Sequence, residues 1–503
     1  MSLLKKIWPN PLHCFLIPSF FIIHNYINFY GLFQLSTIKS LLFIWLLLPA
    51  ILYFLFYFLL GNKSNAGIYS TLLLFIFFFS VPIQQFLKSL PVLNTVLKLP
   101  IFLAIVLIII VFVFYLLKKN KLKFGLKTHM FFSTSLLILL LYDIGGALRK
   151  GEAKLIKKSL FIKTGLPDLR KDSSLSQQLH PDIYYFLFDM HGSTSGIQKS
   201  LGYNNSKLDS NLTSMNYTIT TNSTSATNYT LTSMAAVFNM APLPLENNNF
   251  LTFYDAYKAR LTLQQNILIP FLQKNNYRIV NASTFPLYND DTTFLYRSGW
   301  GHPEELILNQ TLATHLITTY KWLLTDLFPS YFKSMDKIIY SDDLRTTKES
   351  LEIVNSEIIS KDSSKPKFVY THLFIPHEPF KYDSTGAVIP WAHNLYEGSL
   401  SNKLFINQLV YCRNLISELA RKIQINSSRN TIIIFQGDHG IRGGLSNDKN
   451  VFKVLNAISA THDTKFKIVN EFYTPNTFRL LLNTYFGKNL PMLETKHNFI
   501  TIK

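Results

Sequence analysis

Long apolar blocks fill the first part of the chain, whereas shorter apolar runs alternate with polar stretches in the remainder. Four of the blocks approach the ~20 residues that a helix needs to cross a bilayer, and they are 41–60, 67–87, 99–117 and 129–148. A fifth candidate, 11–33, is interrupted by His24, Asn25 and Asn28. The pattern predicts an N-terminal domain, residues 1–148, that is a bundle of about five transmembrane helices.

Basic residues are concentrated around these blocks. Residues 1–163 hold 17 Lys or Arg and only two acids, and so contribute +15 of the formal net charge of +19. Cations between apolar blocks are signals of membrane topology, so no nucleic-acid partner is expected. With five spans, the Lys-rich run 118–127 and the N-terminus lie on the cytoplasmic side, and the chain after residue 148 lies outside. The basic residues of 149–163 would then lie outside, contrary to the positive-inside rule, which long translocated domains follow only loosely.

The rest of the chain alternates between the two main kinds of secondary structure. Residues 149–180 are predicted to be a linker, and β-rich runs follow at 183–189, 277–283, 368–374 and 431–438. Apolar residues recur at three- and four-residue steps before the last strand, which predicts a helix with one face on a sheet: Phe405, Leu409, Cys412, Ile416, Leu419 and Ile423. Residues 181–503 are therefore expected to form one α/β domain with a largely parallel central sheet.

Polar side chains stand where these strands end. Asp189 closes the first strand, and Asp438 and His439 follow the last one directly. Ligands gather beyond the carboxyl ends of parallel strands, so these groups are expected at one edge of the sheet. Two carboxylates and an imidazole are a ligand set that zinc or manganese accepts.

A hydroxyl-rich segment offers a nucleophile for such a site. Residues 221–240, TNSTSATNYTLTSMAAVFNM, pass from a polar loop into a helical pattern of small residues. A threonine at the start of that helix lies beside free backbone amides and the positive end of the helix dipole, where a phosphoryl oxygen is stabilised. Metal coordination would activate its hydroxyl.

Five motifs, in order along the chain, together resemble a known family. They are IYYFLFD, NYTLTSMAAVFNM, THLFIPHEPF, FQGDHG and TPNTFRLLLNTYFG. They look like the sulfatase-like branch of the alkaline phosphatase superfamily. With the predicted spans in front, the chain resembles the membrane-anchored phosphoethanolamine and phosphoglycerol transferases, including lipoteichoic acid synthases. The resemblance implies an alkaline-phosphatase-like fold, with Asp189, Asp438 and His439 as metal ligands.

The resemblance also implies a covalent threonine intermediate, for which two residues qualify. Counting three residues back from Ser233, as in the sulfatase motif, gives Thr230. Counting five residues back from the position of Thr232, as in the phosphoethanolamine transferases, gives Thr227. Thr230 is favoured, both as nucleophile and as a further metal ligand.

Departures from the family pattern narrow the expected chemistry. The stretches TLTSM and DMH replace the sulfatase nucleophile motif and the paired Asp of the first strand, which disfavours sulfate esters. The transferases carry Glu where this chain has Asp189, so the choice between zinc and manganese stays open. A second Asp/His/His set is not found in the sequence, which favours one main metal ion.

Three histidines near these motifs receive different interpretations. His372 and His377 are assigned by the resemblance to the substrate pocket, where they would hold phosphate or move a proton. Each also has a purely structural interpretation: His372 as a buried histidine of the sheet, and His377 as a residue that shapes a loop. His191, two residues after Asp189, is interpreted as a surface turn residue.

The sequence thus predicts a metal-dependent transferase of the bacterial inner membrane with its catalytic domain outside. It would move phosphoethanolamine or phosphoglycerol from a membrane phospholipid, through the threonine, to an envelope glycan or lipid. A monomer is expected. Two alternatives remain open: a membrane-anchored phosphodiester or sulfate ester hydrolase that uses the same site, and a non-catalytic sensor or scaffold.

Overall fold

The computed structural model describes most of the chain in twelve stretches. They are 11–29, 35–90, 98–150, 169, 180–242, 250–251, 253–287, 304–360, 364–391, 399–442, 449–461 and 470–502. The chain forms two compact units, one of residues 1–157 and 302–332 and the other of residues 158–301 and 333–503. Most of the proposed linker 149–180 lies outside the described stretches, so the domain boundaries stay a prediction.

In the described stretches up to residue 150, the first unit contains six helices. They are α1 (Leu12–Asn28), α2 (Leu35–Trp45), α3 (Leu47–Leu60), α4 (Lys63–Ser89), α5 (Leu99–Lys118) and α6 (Leu126–Lys150). Four stretches are long and apolar enough to cross a membrane, namely Ile38–Leu60, Lys63–Ser89, Leu99–Lys118 and Leu126–Gly146. The fifth candidate forms α1, a helix of 17 residues. The predicted bundle of apolar helices is confirmed, with four members that meet the length of a span.

Polar contacts explain why the first apolar segment is interrupted. Helix α1 packs against α6, and the two are joined at two levels. His13 Nε2 lies 2.7 Å from His129 Nδ1, and His24 Nδ1 lies 3.0 Å from Asp143 Oδ2. Polar groups inside an apolar bundle are costly unless they find such partners, so these residues join α1 to the bundle.

The second unit is built from strands and helices in alternation. After β1 (Asp182–Phe188) come α7 (Thr194–Leu201), α8 (Ser206–Ser214), β2 (Thr218–Ile219), β3 (Asn222–Thr224), α9 (Thr230–Phe238), β4 (Phe250–Leu251), α10 (Phe253–Gln264), α11 (Leu268–Lys274) and β5 (Arg278–Ala282). Helices α12 (Glu304–Leu308), α13 (Leu312–Thr319) and α14 (Lys321–Leu327) follow and belong to the first unit. The chain continues with α15 (Pro329–Ile359), β6 (Lys367–Leu373), α16 (Ser399–Asn426), β7 (Thr431–Gly437), β8 (Asn456–Ala460), β9 (Glu471–Tyr473), α17 (Thr477–Tyr485) and β10 (Thr501–Ile502).

The main sheet has six strands in the order β2-β8-β7-β1-β6-β5. The pairings β7–β1, β1–β6 and β6–β5 are parallel, whereas β8 and β2 add an antiparallel edge. All four strands predicted from the sequence belong to the parallel part. The prediction of an α/β domain with a largely parallel sheet is confirmed, and the antiparallel edge is a finding of the structure.

Helices cover both faces of the sheet. On one face, alternate residues of β1 such as Tyr185 pack with Phe238 of α9 and Phe478 of α17. On the other face, Phe186 of β1 belongs to a buried cluster with α16, whose predicted apolar stripe is confirmed as buried. Because neighbouring residues of a strand point to opposite faces, β1 is apolar along its whole length and buried in the middle of a three-layer domain.

A buried clasp holds the loop that follows β6. Gln408 of α16 accepts hydrogen bonds from the backbone amides of Lys381 and Tyr382, and its Nε2 donates to the carbonyl of His377. Lys381 Nζ donates to the carbonyl of Phe374 at 2.7 Å and lies 3.5 Å from Asp343 Oδ2 of α15. Both charged side chains of this pair are completely buried. The loop between residues 374 and 382 is therefore fixed from inside the domain.

Replacing one partner of this buried pair is expected to destabilise the domain strongly. In Lys381→Met, the Asp343 carboxylate keeps its burial and loses its cation, which typically costs about 3–5 kcal/mol. The measurement is the urea dependence of unfolding of the full-length protein in detergent, followed by circular dichroism.

Lys422→Met is the matched control, because Lys422 forms a 2.7 Å ion pair with Glu418 in which the two side chains are 44% and 58% exposed. An exposed pair of this kind contributes less than about 1 kcal/mol. Equal losses of stability in the two variants would contradict the account of Lys381 as a buried clasp.

Candidate metal and nucleophile site

Strand register brings two carboxylates together at the carboxyl edge of the sheet. Phe188, the last residue of β1, lies opposite Gly437, the last residue of β7, and opposite Leu373, the last residue of β6. The next residues on β1 and β7 are Asp189 and Asp438. Parallel neighbouring strands that end at one level place the residues that follow them side by side. Both aspartates are buried, with 3% exposure each.

Two glycines around Asp438 allow this close packing. A Cβ on Gly437 would lie 2.2 Å from the carbonyl oxygen of His191. One on Gly440 would lie 2.4 Å from the carbonyl oxygen of Asn450 and 2.7 Å from that of Lys453. These contacts are with backbone atoms, which cannot move aside as a flexible side chain can. The glycines of the GDHG motif are therefore required for the strand end to approach the neighbouring loops.

The Asp438 carboxylate is oriented by backbone amides. Its Oδ1 accepts hydrogen bonds from the amide of Met190 at 3.0 Å and from its neighbour, the amide of His439, at 2.8 Å. Met190 has φ +63°, a left-handed conformation that costs a non-glycine residue of the order of 1 kcal/mol. Asp438 Oδ2 is buried and has no hydrogen-bond partner among the residues that the structure describes.

His439 presents a lone pair to both carboxylates. Its Nδ1 lies 2.8 Å from the carbonyl oxygen of Gly440, which can only accept, so Nδ1 carries the proton. Its Nε2 lies 3.5 Å from Asp189 Oδ1 and 3.5 Å from Asp438 Oδ2. Burial lowers the pKa of His439 well below its usual value, with a further contribution from the Arg442 guanidinium. The imidazole is therefore neutral, as a metal ligand must be.

Thr230 begins helix α9 and reaches the same cluster. Its hydroxyl lies 3.4 Å from His439 Nε2, and the residue is buried. The preceding residue, Tyr229, makes no side-chain cap, so no N-cap side chain occupies the first-turn amides. A hydroxyl and the positive end of a helix thus adjoin His439, whose Nε2 lies 3.5 Å from both carboxylates.

Thr227, the alternative nucleophile, uses its hydroxyl inside the loop. It lies 2.6 Å from Thr232 Oγ1 and 2.9 Å from Ser233 Oγ, and contacts the carbonyl of Tyr229 at 3.1 Å. These bonds hold the loop against the first turn of α9, which is a structural use of the side chain.

The two other predicted site histidines differ in their surroundings. His372 lies on β6 and is buried, with its ring centroid 4.8 Å from that of Phe285 and 5.1 Å from that of Phe374. Its Nδ1 lies 3.3 Å from the hydroxyl of Tyr370. His377 is half-buried in the clasped loop. Both imidazoles belong to the second unit, and only that of His377 is accessible.

The interpretation of His191 as a surface turn residue is wrong. The structure buries it completely beneath β7, where its carbonyl adjoins Gly437. Nδ1 donates to the carbonyl of Gly192 at 3.0 Å, and burial lowers the pKa of the imidazole to about 4. A position two residues after a strand is exposed only when no other segment covers the strand end, and here the segment around Val454 covers it.

The predicted metal ligands fit a divalent cation. Asp189, Asp438 and His439 each offer one ligand atom, and these atoms lie within 4.8 Å of one another. Two buried carboxylates repel each other unless a positive charge lies between them, and the Nε2 lone pair and the Oδ2 atom of Asp438 are directed at the same space. The oxygen and nitrogen donors suit zinc or manganese.

The sequence motifs do not point to Arg442, which lies next to this cluster. Its Nη2 lies 2.5 Å from His439 Nε2, and its guanidinium carbon lies 5.6 Å from the centre of the Tyr229 ring. A cation three residues after a predicted metal ligand belongs to no motif quoted above, and the turn at Gly440 brings its side chain back to the cluster. The short distance in sequence from the DHG motif was the only indication available.

The protein-family models and the curated proteins give no match to this chain. Among solved structures, the C-terminal periplasmic domain of EcEptC from Escherichia coli is 12% identical and covers 66% of this chain and 92% of its own, with a TM-score of 0.41. The same domain in complex with zinc is 13% identical, covers 64% and 90%, and has a TM-score of 0.39.

A similarity along almost the whole chain is found with lipooligosaccharide phosphoethanolamine transferase A from Neisseria meningitidis, an integral membrane protein. It is 11% identical and covers 96% of this chain and 95% of its own, with a TM-score of 0.38. These are phosphoethanolamine transferases, of the type that the sequence motifs resemble. At such low identities and TM-scores, they carry no conclusion about the activity of this chain, which has to come from its own residues.

Loss of one carboxylate is expected to abolish metal binding. Asp438→Asn keeps the side-chain shape and an oxygen for the two backbone amides, but it removes the negative charge. Metal affinity should fall by at least about 100-fold. The measurement is metal content by mass spectrometry, after the purified full-length protein is loaded with zinc or manganese and dialysed.

Glu418→Gln is the matched control, since it makes the same change in an exposed ion pair on α16. It should retain the metal content of the unaltered protein. Equal metal content in Asp438→Asn and Glu418→Gln would show that the cluster does not bind the ion.

Proposed function

We propose that this chain is a membrane-anchored phosphotransferase with Thr230 as its covalent nucleophile. It would take a phosphoethanolamine or phosphoglycerol group from a membrane phospholipid and pass it to an envelope glycan or lipid. The observation that carries the proposal is the position of the Thr230 hydroxyl. It stands at the start of α9 and 3.4 Å from His439 Nε2, within the carboxylate–imidazole cluster.

The geometry supports Thr230 over Thr227. Both hydroxyls are buried, but that of Thr227 is held by Thr232 and Ser233 in the loop. Thr230 has a helix N-terminus beside it and the ligand cluster in front of it. A nucleophile must reach the electrophile together with the groups that stabilise its charge, and among these two residues Thr230 meets that condition.

Three residues of the site, Asp189, Asp438 and His439, would hold the metal ion. When bound there, zinc or manganese lowers the pKa of a nearby hydroxyl and offsets phosphoryl charge. The amides at the start of α9 are free of an N-cap side chain and would donate to the phosphoryl oxygens. The site thus offers hydrogen-bond donors for the charge that develops as the group is transferred.

The reaction is proposed to proceed in two balanced steps. First, a bond forms between Thr230 Oγ and phosphorus while the bond from phosphorus to the diacylglycerol oxygen breaks, and the hydroxyl proton ends on that oxygen. Second, the acceptor oxygen bonds to phosphorus and the bond to Thr230 Oγ breaks, and the acceptor proton returns to the threonine. The net result is exchange of one alcohol for another on the phosphodiester.

Different roles are proposed for His377 and His372. His377 is half-buried and is held in place through its carbonyl by Gln408, so it is open to an incoming acceptor hydroxyl and would move its proton. His372 is buried between two aromatic rings and contacts the hydroxyl of Tyr370. It would orient the phosphate side of the site rather than exchange protons with solvent.

Membrane anchoring suits a lipid donor. Among the described residues, four stretches are long and apolar enough to cross a bilayer, and such an anchor would restrict the enzyme to the membrane that holds its substrate. We further propose that the Lys-rich run 118–127 marks the cytoplasmic end of the bundle, so that the second unit would lie on the outer side of a bacterial inner membrane. A monomer suffices, because the residues proposed for the site come from one chain.

The test is peptide mass spectrometry of the full-length protein after incubation with metal and each donor phospholipid, without acceptor. We expect a phosphoethanolamine or phosphoglycerol ester on Thr230. Thr230→Ala should lose the adduct and at least about a thousandfold in turnover, because the nucleophile is gone.

Thr227→Ala is the matched control, and it should retain the adduct on Thr230 even where loss of its hydrogen bonds lowers stability. An adduct on Thr227, or no adduct with either lipid, would contradict the proposed nucleophile or these donors. Release of the head group at full rate without acceptor would instead identify a hydrolase.

A further inference from the structure

Arg442 carries a positive charge and has no role in the two proposed steps. It follows the Asp438–His439–Gly440 turn, and its side chain folds back over the site. One N–H donates to His439 Nε2 at 2.5 Å, and the guanidinium lies 5.6 Å from the centre of the Tyr229 ring. The residue is thus in contact with a predicted metal ligand and with the neighbour of Thr230.

Neither of these contacts is with an anion. Nε2 of His439 accepts through its lone pair, because Nδ1 donates to the carbonyl of Gly440, and Tyr229 presents its aromatic face. Within the described stretches, no ion pair involves Arg442, and its buried Nε has no hydrogen-bond partner. An arginine keeps its charge at every physiological pH, so a partly buried guanidinium that contacts no anion among the described residues can still accept one.

The contact with His439 is also one that a metal ion would replace. Nε2 has a single lone pair, because Nδ1 holds the proton that it donates to Gly440. This lone pair can accept the Arg442 N–H or coordinate a cation, but not both at once. A site loaded with metal therefore leaves the Arg442 donors available for another acceptor close to Thr230.

The charges of the site define what that acceptor must be. Asp189 and Asp438 together carry two negative charges, which one divalent cation balances. A phosphodiester adds one more negative charge, and Arg442 adds one positive charge. A guanidinium also presents two parallel N–H groups, which match two oxygens of a phosphoryl group.

We infer that Arg442 binds the phosphoryl oxygens of the phosphodiester that reacts with Thr230. The Tyr229 ring, 5.6 Å from the guanidinium carbon, would hold the guanidinium in position. This deepens the proposed function and rests on it for the identity of the substrate. The ligand class is a monoanionic phosphodiester, and inorganic phosphate presents the same kind of phosphoryl oxygens. Arg442 touches substrate in this arrangement and is therefore a catalytic residue.

The test compares Arg442→Gln and Arg442→Lys in full-length protein loaded with zinc in detergent. The first readout is binding of inorganic phosphate by isothermal titration calorimetry. Arg442→Gln should weaken phosphate binding by at least about tenfold, as expected for loss of a charge-assisted hydrogen bond. Arg442→Lys should recover part of that loss, since it restores the charge without the paired donors.

The second readout is metal content, which separates phosphate binding from metal binding. Arg442→Gln should hold zinc as tightly as the unaltered protein or more tightly, because it removes a competitor for Nε2 and a repelling charge. The third readout is the rate of adduct formation on Thr230, which should fall by at least about 100-fold in Arg442→Gln. Arg345→Gln is the matched control, because Arg345 is exposed and pairs with Asp342 and Glu349.

The outcomes distinguish this inference from the proposed function. Adduct formation in the unaltered protein with equal phosphate binding in Arg442→Gln would overturn the inference and leave the function standing. Absence of any adduct together with phosphate binding that depends on Arg442 would overturn the transferase and leave the anion site standing. Loss of zinc in Arg442→Gln would assign Arg442 to metal binding instead, and would also overturn the inference.

Discussion

Two buried carboxylates held side by side are the constraint on which the rest of the catalytic unit depends. Asp189 and Asp438 follow strands β1 and β7, which end at the same level in the middle of the sheet. Carboxylates of this kind repel each other and have lost their hydration, so they require compensation. The structure provides part of it through two backbone amides on one oxygen of Asp438, whereas Nε2 of His439 faces both carboxylates with a lone pair and adds none. What remains is a negatively charged space suited to a divalent cation.

Several costly features surround this space and are explained by it. Met190 adopts a left-handed backbone conformation directly after Asp189, which allows its amide to bind Asp438. Gly437 and Gly440 permit backbone approaches that a Cβ would prevent. Unfavourable local conformations persist where the surrounding structure fixes them, and they concentrate at functional sites. Here they position ligand atoms rather than improve packing.

A second buried charge pair extends the same organisation to the substrate side. Lys381 and Asp343 are completely buried, and with Gln408 they fix the loop that carries His377. The half-buried imidazole therefore stands on a rigid support, which suits the proton transfer proposed for it. Arg442 contributes the opposite property: a permanent charge beside Tyr229, the neighbour of the proposed nucleophile, that would become available if His439 bound a metal ion. The site thus combines fixed anions, a fixed imidazole and a cation whose partner can change.

Local sequence determined the strands, the apolar stripe of α16, the apolar helices and the polar residues at the strand ends. Each of these depends on periodicity or on neighbours in the chain, so the grouping of Asp189, Asp438 and His439 followed from parallel strands alone. Only the tertiary structure decided the burial of His191, the loop bonds of Thr227, the antiparallel edge strands and the position of Arg442. All of these depend on segments that are distant in sequence, such as the one around Val454 that covers His191. Contacts of that kind leave no local pattern, because burial and hydrogen-bond partners are properties of the folded chain.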